Sequence, residues 1–275
     1  MSPAGLDVLH VASGAEVGYA LPMAVAIGSV AAHLAPDRRA VFHLLDAGLG
    51  SELRERVVTG LDPARFTVEW VTPDRSGYVG LPLWGRMSVA TYDKLSLADV
   101  LDPGVKRILW IDADTLVRTD VSVLWDQSMS GAAALAAPDE LVPQVGAAFG
   151  VAGWLGLGLD PGLPYFNAVV LLADLDLWRK ASVRKEALEY LHRHARQTYF
   201  WDQEGLNAAL AGRWAALGRR WNCSPVEAAG VEPSLLHFHG NLKPWRRLGD
   251  SRWHREYYAA LERTAWKGWR PGVSV

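Results

Sequence analysis

Two aspartates, one residue apart, form the most specific chemical pattern in this chain. Asp112 and Asp114 come directly after the apolar run 108–111. In an extended chain the side chains of residues i and i+2 point the same way, and two neighbouring carboxylates repel each other unless a cation lies between them. Carboxylate oxygens suit Mg²⁺ or Mn²⁺. The spacing therefore predicts a divalent-metal site at a strand end; the alternative is a turn with two solvated aspartates.

A second group of polar residues lies between positions 237 and 245. The imidazoles of His237 and His239 can coordinate a metal when they are neutral, and Lys243 is a point charge that suits a phosphate. Gly240 lets the backbone approach a ligand closely. The alternative is a loop with two half-buried histidines and a solvated lysine. Beside a two-aspartate site the metal interpretation gains weight, because that site lacks a third protein ligand.

Two further sets of polar residues lie where regular elements begin. Asp202, Gln203 and Glu204 open a predicted helix, where Asp202 is expected as an N-cap and acidic side chains complement the helix dipole. The functional interpretation instead places a carboxylate and an amide carbonyl close to a reacting centre. Asn167 lies just before an apolar strand, where it either closes a turn or carries chemistry.

The elements that must position these residues alternate between strand and helix in the first half of the chain. Hydrophobic periodicity predicts strands over 6–12, 41–45, 66–71 and 108–111, and helices over 19–34, 51–61 and 88–101. This alternation predicts an α/β fold with a mostly parallel, doubly wound sheet, which binds ligands at its carboxyl edge. The second half is less regular, with strands predicted over 132–137 and 168–172 and helices over 186–196, 202–211 and 255–263.

The long connection from 139 to 165 is rich in glycine. Such a connection in a compact domain is usually a mobile functional loop or lid, and a poorly ordered surface insertion is the alternative. We expect this segment to cover part of the functional site.

Length and composition describe an ordinary globular protein. The chain has 275 residues, 50% hydrophobic and 21% charged, with a net charge of -2, so nothing predicts a nucleic-acid partner. The single cysteine, Cys223, fits a reducing compartment. Residues 1–7 lack the pattern of a secretory signal, and the nearly apolar run 21–34 is too short to span a bilayer. We expect a soluble, cytoplasmic protein.

Taken in order, these motifs resemble the family-8 retaining glycosyltransferases, the family of glycogenin and of the bacterial lipopolysaccharide galactosyl- and glucosyltransferases. The motifs are Asp112-Ala113-Asp114, Phe166-Asn167-Ala168, Asp202-Gln203, and the segment from His237 through Gly240 to Lys243-Pro244-Trp245. The resemblance extends from about Val8 to Trp245. It implies a GT-A fold that binds a UDP-hexose, UDP-glucose or UDP-galactose, together with Mn²⁺ or Mg²⁺.

The resemblance also implies a role for each residue that matches a family motif. The implied metal ligands are Asp112, Asp114 and His237, and the residues implied at the anomeric centre are Asp202 and Gln203. The implied contacts of the nucleotide sugar are Ala12, Glu16, Tyr19, Lys94, Asp112, Ala113, Asp139, Asn167, Ala168, Gly240 and Lys243. Within that set Tyr19 would stack on uracil, and Gly240 and Lys243 would contact the diphosphate.

Several positions depart from the family pattern. The first loop, 15–19, has Val17 and Gly18 where the family carries polar residues, which removes implied contacts with the base. Lys94 replaces an arginine and loses its planar fork. Val169 replaces a glycine, so the donor sugar can differ from glucose or galactose.

For a retaining transfer we favour same-face attack through an oxocarbenium-like species. The leaving phosphate accepts the acceptor's proton, and Gln203 positions or stabilises the sugar cation, because an amide is a poor nucleophile. Glu204 is an alternative nucleophile. The apolar, glycine-rich segment 139–165 predicts a bulky or partly hydrophobic acceptor, such as a lipid-linked glycan or a small natural product.

We expect one glycosyltransferase domain over 1–275. Within it, 1–137 would bind the nucleotide sugar, 138–245 would carry the acceptor and catalytic groups, and 246–275 would form a basic, aromatic tail. The tail either contacts an anionic membrane surface, the inner membrane face, or packs as a terminal helix with a solvated basic face.

Two rival functions stay open from the sequence. A haloacid-dehalogenase-type phosphatase would use Asp112 as nucleophile, Asp114 as general acid and Mg²⁺ as cofactor, but it has no need for the segment 237–245. A non-catalytic nucleotide-sugar-binding protein on the same fold is the other rival.

Overall fold

The computed structural model describes residues 8–85, 87–226 and 230–272. Positions 6 and 7 of the predicted first strand and 273–275 of the predicted tail lie outside the described residues. The segment 1–7, on which the expectation about a secretory signal depends, lies outside them as well. In the described parts of the chain no helix is both long and apolar enough to span a bilayer.

The observed elements follow the predicted ones closely along most of the chain. The strands are β1 (Leu9–Ala15), β2 (Ala40–Asp46), β3 (Phe66–Val71), β4 (Arg107–Ile111), β5 (Thr115–Val117), β6 (Ala134–Pro138), β7 (Phe166–Asp174), β8 (Trp214–Ala216) and β9 (Leu235–His237). The α-helices are α1 (Ala20–His33), α2 (Gly50–Val58), α3 (Leu97–Val100), α4 (Ser122–Trp125), α5 (Leu175–Lys180), α6 (Val183–Arg193), α7 (Trp201–Leu210) and α8 (Arg252–Leu261). Short 3-10 helices cover Val17–Tyr19, Val89–Ser96 and Arg219–Trp221.

The main sheet has seven strands in the order β3-β2-β1-β4-β7-β6-β8, and β5 pairs with β9 in a second sheet. β1 and β2 are parallel, with Val11 opposite Phe42. β6 and β8 are also parallel, whereas β6 and β7 are antiparallel. The predicted α/β class, with a mostly parallel sheet flanked by helices, is confirmed.

The segment predicted as a helix over 88–101 is mostly a 3-10 helix, and only its last turn, Leu97–Val100, is α-helical. A 3-10 run of 8 residues is long, and buried side-chain hydrogen bonds support it. Tyr92 Oη donates to the carbonyl of Pro82 at 2.6 Å, and Ser96 Oγ donates to the carbonyl of Asp93 at 2.7 Å. The α-helical prediction was therefore wrong for 89–96, where these bonds support a 3-10 helix instead.

The chain divides into two compact units. The first contains the described parts of 1–70, 111–127 and 220–275. Its helix α1 packs against β5, α2 and α8. Ser29, buried in α1, accepts the N–H of Val117 at 2.9 Å through its hydroxyl, so α1 fixes the strand that follows Asp114.

The second unit contains the described parts of 71–110 and 128–219. In this unit α6 packs against α7, and α7 also contacts β7. The approach of the two helices is close at Gly205, where a Cβ atom would lie 2.9 Å from Leu191 Cδ1. This packing holds the helix that carries Asp202 and Gln203. The functional division at residues 137 and 245 stays a prediction.

The glycine-rich segment 139–165 is closed at its base by backbone hydrogen bonds. The N–H of Asp139 donates to the carbonyl of Tyr165 at 2.9 Å, and the N–H of Val145 donates to that of Leu163 at 2.8 Å. At Gly150 the chain passes so close to itself that a Cβ atom would lie 2.2 Å from Val145 O. These contacts argue against a poorly ordered insertion, because the glycine permits close packing.

We expect Gly150→Ala to destabilise the protein by about 1–3 kcal/mol, because the added methyl group meets backbone atoms that cannot move aside. Gly156→Ala in the same segment is the matched control. A Cβ atom there would lie 3.5 Å from the nearest heavy atom, which is an ordinary van der Waals contact. Thermal unfolding should show a lower midpoint for Gly150→Ala alone. Equal midpoints for the two variants would contradict this packing.

Candidate active site

In the first unit, the pairing of β5 with β9 brings the second aspartate to the downstream histidine. Thr115 lies opposite His237 in the antiparallel register, and the N–H of Phe238 donates to the carbonyl of Asp114 at 2.9 Å. His237 Nε2 lies 3.8 Å from Asp114 Oδ2. Two predicted metal ligands are therefore neighbours, although they are far apart in the sequence.

Lys243 lies against the same carboxylate. Its Nζ is 2.5 Å from Asp114 Oδ2, and it lies 5.6 Å from the ring centroid of Tyr19 and 5.3 Å from that of Trp245. Burial disfavours the ammonium, but the charge of Asp114 and the contact with Tyr19 outweigh burial and raise the pKa of Lys243. The solvated-lysine alternative is wrong, because the side chain is 8% exposed.

The donor chemistry of this place fits a hard divalent cation. Two atoms that each lie about 2.1 Å from one ion are at most about 4.2 Å apart, and Asp114 Oδ2 and His237 Nε2 meet that limit at 3.8 Å. Among the described residues, no group of three or more His, Cys, Asp or Glu side chains is placed to hold a metal. The structure therefore brings together Asp114 and His237 but does not gather Asp112 with them.

Two residues of this region are engaged in local structure. The backbone carbonyl of Asp112 accepts a hydrogen bond from Thr115 Oγ1 at 2.8 Å, which shapes the turn before β5. His239 Nε2 lies 2.9 Å from Ser224 Oγ, and the rings of His239 and His237 make an edge contact at 5.4 Å. His239 therefore supports the neighbouring imidazole.

The predicted base-binding loop has a different start from the one expected. β1 continues to Ala15, so Ala12 lies inside the strand with its side chain fully buried. Glu16 then leads into the 3-10 helix that ends at Tyr19, whose ring meets that of Trp245 edge-on at 5.9 Å. A base contact by the side chain of Ala12 is not favoured, and Ala113 is buried too. Gly240 has a φ of 54°, the left-handed region that favours glycine.

In the second unit, Asp139 is the centre of a hydrogen-bond network. Its Oδ2 accepts bonds from Asn167 Nδ2 and Gln203 Nε2, each at 3.0 Å. Its Oδ1 accepts the N–H groups of Leu141 and Val142, each at 2.9 Å. The carboxylate thus joins the start of the 139–165 segment to two of the predicted sugar-site residues.

The amide of Gln203 is held at both ends. While its nitrogen donates to Asp139, its Oε1 accepts the N–H of Ala168 at 3.1 Å. Asn207, one turn further along α7, donates to the carbonyl of Gln203 at 2.9 Å and accepts the N–H of Phe166 at 2.8 Å. The side chain therefore has one defined orientation.

Asp202 is not an N-cap. Phe200 occupies the N-cap position without a side-chain capping hydrogen bond, and Asp202 instead forms a buried ion pair with Lys94, Nζ to Oδ2 at 3.0 Å. Thr91 Oγ1 donates to its other oxygen at 2.8 Å, and Lys94 Nζ also donates to the carbonyl of Ala168 at 3.0 Å. Lys94 and Asp202, both predicted as site residues, thus lie beside the Gln203 network and hold it in place.

Glu204 is a structural anchor that the sequence did not reveal as one. It is fully buried, and its carboxylate accepts hydrogen bonds from the hydroxyl of Tyr190, the N–H of Tyr199 and the N–H of Ala152. Burial raises the pKa of Glu204. A buried carboxylate with this many donors is poorly placed to attack a sugar. No local pattern marks Tyr190, because it reaches Glu204 only through the packing of α6 on α7.

The comparisons with known proteins agree with this fold. The model of the family described as glycosyl transferase family 8 matches residues 10–249. A solved structure of the galactosyltransferase LgtC, in complex with donor and acceptor sugar analogs, is similar with a TM-score of 0.81 and 26% identity, over 93% of this chain and 96% of that chain.

Two curated proteins are similar over most of this chain. General stress protein A of Bacillus subtilis (strain 168) is 24% identical, over 94% of this chain and 95% of its own length. The probable galacturonosyltransferase-like 9 of Arabidopsis thaliana is 27% identical, over 92% of this chain and 70% of its own length. The GT-A fold is confirmed, and neither the phosphatase nor the non-catalytic alternative finds support. The chain is a hexosyltransferase and belongs to glycosyltransferase family 8.

Proposed function

We propose that the protein transfers a hexosyl group from a UDP-hexose, UDP-glucose or UDP-galactose, to an acceptor hydroxyl with retention of configuration. The observation that carries this proposal is the buried ammonium of Lys243, held 2.5 Å from Asp114 Oδ2 beside His237. A cation fixed next to a carboxylate and an imidazole is the arrangement expected for a metal-assisted diphosphate site.

In the first unit, Asp114 and His237 would hold Mn²⁺ or Mg²⁺, and the family resemblance implies Asp112 as the third protein ligand. When bound, the ion would neutralise the charge that develops on the leaving UDP. Lys243 adds a second positive charge for the same phosphates, and Gly240 offers a backbone without a side chain in the way. Tyr19 presents its ring to the base.

In the second unit, Asp139, Asn167 and Gln203 would contact the hexose. The bond between the anomeric carbon and the phosphate oxygen breaks, and a bond to the acceptor oxygen forms on the same face. The acceptor's proton passes to the leaving phosphate oxygen. Gln203 stabilises the developing cation, since its carbonyl oxygen is a fixed dipole, while Asp202 and Lys94 position Gln203.

A cytoplasmic location and a membrane contact of the tail stay predictions. The aromatic rings of the tail make contacts within the first unit: Arg56 lies 4.4 Å from the ring centroid of Trp266, and Arg118 lies 5.0 Å from that of Trp253. These contacts favour the packed-helix alternative. Arg246 and Arg247 are exposed and are the residues that would meet an anionic surface.

The proposal is tested by calorimetric titration of UDP into the protein, with and without Mn²⁺. We expect binding that needs the metal and that weakens at least 10-fold in Asp114→Asn, because one carboxylate ligand is lost (about 1.4 kcal/mol or more). Asp126→Asn is the matched control, an exposed aspartate of the same unit that pairs with Arg38. UDP binding that is independent of metal and of Asp114 would overturn the donor site.

A further inference from the structure

Two tryptophan rings stack on each other at the start of α7. The ring centroids of Trp84 and Trp201 are 4.4 Å apart, and their planes differ by 28°. Trp84 is 49% exposed, so one face of the stacked pair is open to solvent. Trp201 directly precedes Asp202 and Gln203 in the chain. The open indole of Trp84 therefore stacks on a residue of the segment that leads into the proposed sugar site.

A second aromatic pair includes Tyr199, which lies just before Trp201 in the chain. Phe149 and Tyr199 make an edge contact at 5.0 Å, and they are 50% and 48% exposed. Among the exposed large apolar side chains of the described residues, the aromatic ones are Trp84, Phe149 and Tyr199. Each pair includes a residue of the stretch 199–201, and a contiguous exposed apolar patch is typical of a binding site.

The backbone at this place is strained. Trp201 has a φ of 44°, a conformation that is a genuine outlier for a bulky side chain. Its indole nitrogen is buried and has no hydrogen-bond partner within the described residues, so stacking on Trp84 holds the ring. The N–H of Tyr199, just upstream, is fixed by Glu204 at 2.9 Å. The chain thus keeps a tryptophan where glycine would relieve the strain.

Leu83 and Met87 add exposed apolar surface to the segment that carries Trp84. Leu83 directly precedes Trp84 and Met87 follows two positions after Gly85; they are 48% and 39% exposed. They offer no hydrogen bonds to the several hydroxyl groups of a second sugar. A flat aromatic ring needs only stacking, which indoles supply at the distances seen between Trp84 and Trp201.

We propose that Trp84 and Trp201 form the acceptor platform of this enzyme and that the acceptor carries an aromatic ring system next to the hydroxyl that receives the hexose. This inference rests on the proposed function, since it names the acceptor class of the same site. The ring stacks on the open face of Trp84, and the 139–165 segment contributes Phe149 at its edge.

The test compares phenyl β-D-glucoside with methyl β-D-glucoside as probes, using ligand-observed NMR on the full chain saturated with UDP and Mn²⁺. We expect the phenyl glucoside to bind more tightly than the methyl glucoside. Trp84→Ala should weaken binding of the phenyl probe about 3- to 10-fold, the effect of losing one aromatic stack. Trp84→Phe should lose less of the affinity for the phenyl probe, because a smaller aromatic ring remains. Trp70→Ala is the control. It removes a half-buried indole of the first unit, which has Arg54 at 5.4 Å from its ring centroid, and it should leave the affinity for the phenyl probe unchanged.

The outcomes separate the two proposals. If both glucosides bind equally, or if Trp84→Ala binds the phenyl probe as the unmodified chain does, the aromatic platform is overturned, and a carbohydrate acceptor becomes the better assignment. The UDP titration on the same sample reports the donor site independently. If UDP fails to bind with Mn²⁺ while Trp84→Ala still weakens the phenyl probe in metal-free samples, the donor proposal fails and the platform stands.

Discussion

Lys243→Met should lower kcat for hexosyl transfer, or for the slower hydrolysis of the UDP-hexose, by about 100- to 1,000-fold. In the proposed function the buried ammonium would lie beside the leaving diphosphate, where negative charge develops, and methionine is of similar size but carries no charge. Because that charge appears mainly in the transition state, we expect kcat to fall more than the affinity for UDP. Steady-state kinetics with UDP-glucose and UDP-galactose measure kcat, and calorimetric titration of UDP measures the affinity.

A second measurement separates the phosphate role of Lys243 from a role in folding. Lys243 Nζ donates a hydrogen bond to Asp114 Oδ2, the oxygen that would bind a metal. Because Lys243→Met removes this competing cation, it should not weaken Mn²⁺ binding in the absence of UDP. Lys267→Met, which removes an exposed lysine of the same unit, is the control and should keep full activity. Loss of metal binding together with kcat would show that Lys243 only supports the fold.

Lys94→Met should cost about 3–5 kcal/mol of stability, because it leaves the carboxylate of Asp202 buried without its cation. The two side chains are 5% and 7% exposed, and Nζ lies 3.0 Å from Oδ2. For a chain of this size the expected fall in the thermal midpoint is roughly 10 °C. Since Lys94 also bonds the carbonyl of Ala168, the Gln203 network should loosen and activity should fall as well.

The same unit offers a matched control for the Lys94 prediction. Lys106 and Asp176 form an ion pair of similar length, 3.1 Å, but they are 63% and 53% exposed. Lys106→Met should therefore cost less than about 1 kcal/mol. The double variant Lys94→Met/Asp202→Leu should lose less stability than Lys94→Met and Asp202→Leu lose in total, because it leaves no unpaired charge buried. Additive losses would mean that the pair is not coupled.

Much of the fold could be predicted because its signals are local. The helix α1 has Ala20–His33 as its bounds where 19–34 was predicted, and β3 has Phe66–Val71 as predicted. Hydrophobic periodicity is a property of neighbouring residues, so it survives in a single sequence. β5 and β9 were missed because each has 3 residues, which is too few to show a period.

Local chemistry was misread where a distant partner decides it. Asp202 has the sequence position of a helix cap, yet it pairs with Lys94 and Thr91, and the latter lies 111 residues away. Glu204 looked like a possible nucleophile, yet the packing of α6 on α7 buries it against Tyr190. Neither partner follows from spacing, because both contacts depend on which helix faces overlap.

The sequence by itself determined the α/β class, the family and the residue types of the site, since an apolar strand that ends in Asp112 and Asp114 and a later segment with His237 and Lys243 are visible without a fold. Only the tertiary structure decided which of them meet. The pairing of β5 with β9 places Lys243 on Asp114 across 129 residues. That pairing is stabilised by the burial of α1 and its neighbours, and no short stretch of sequence contains that information.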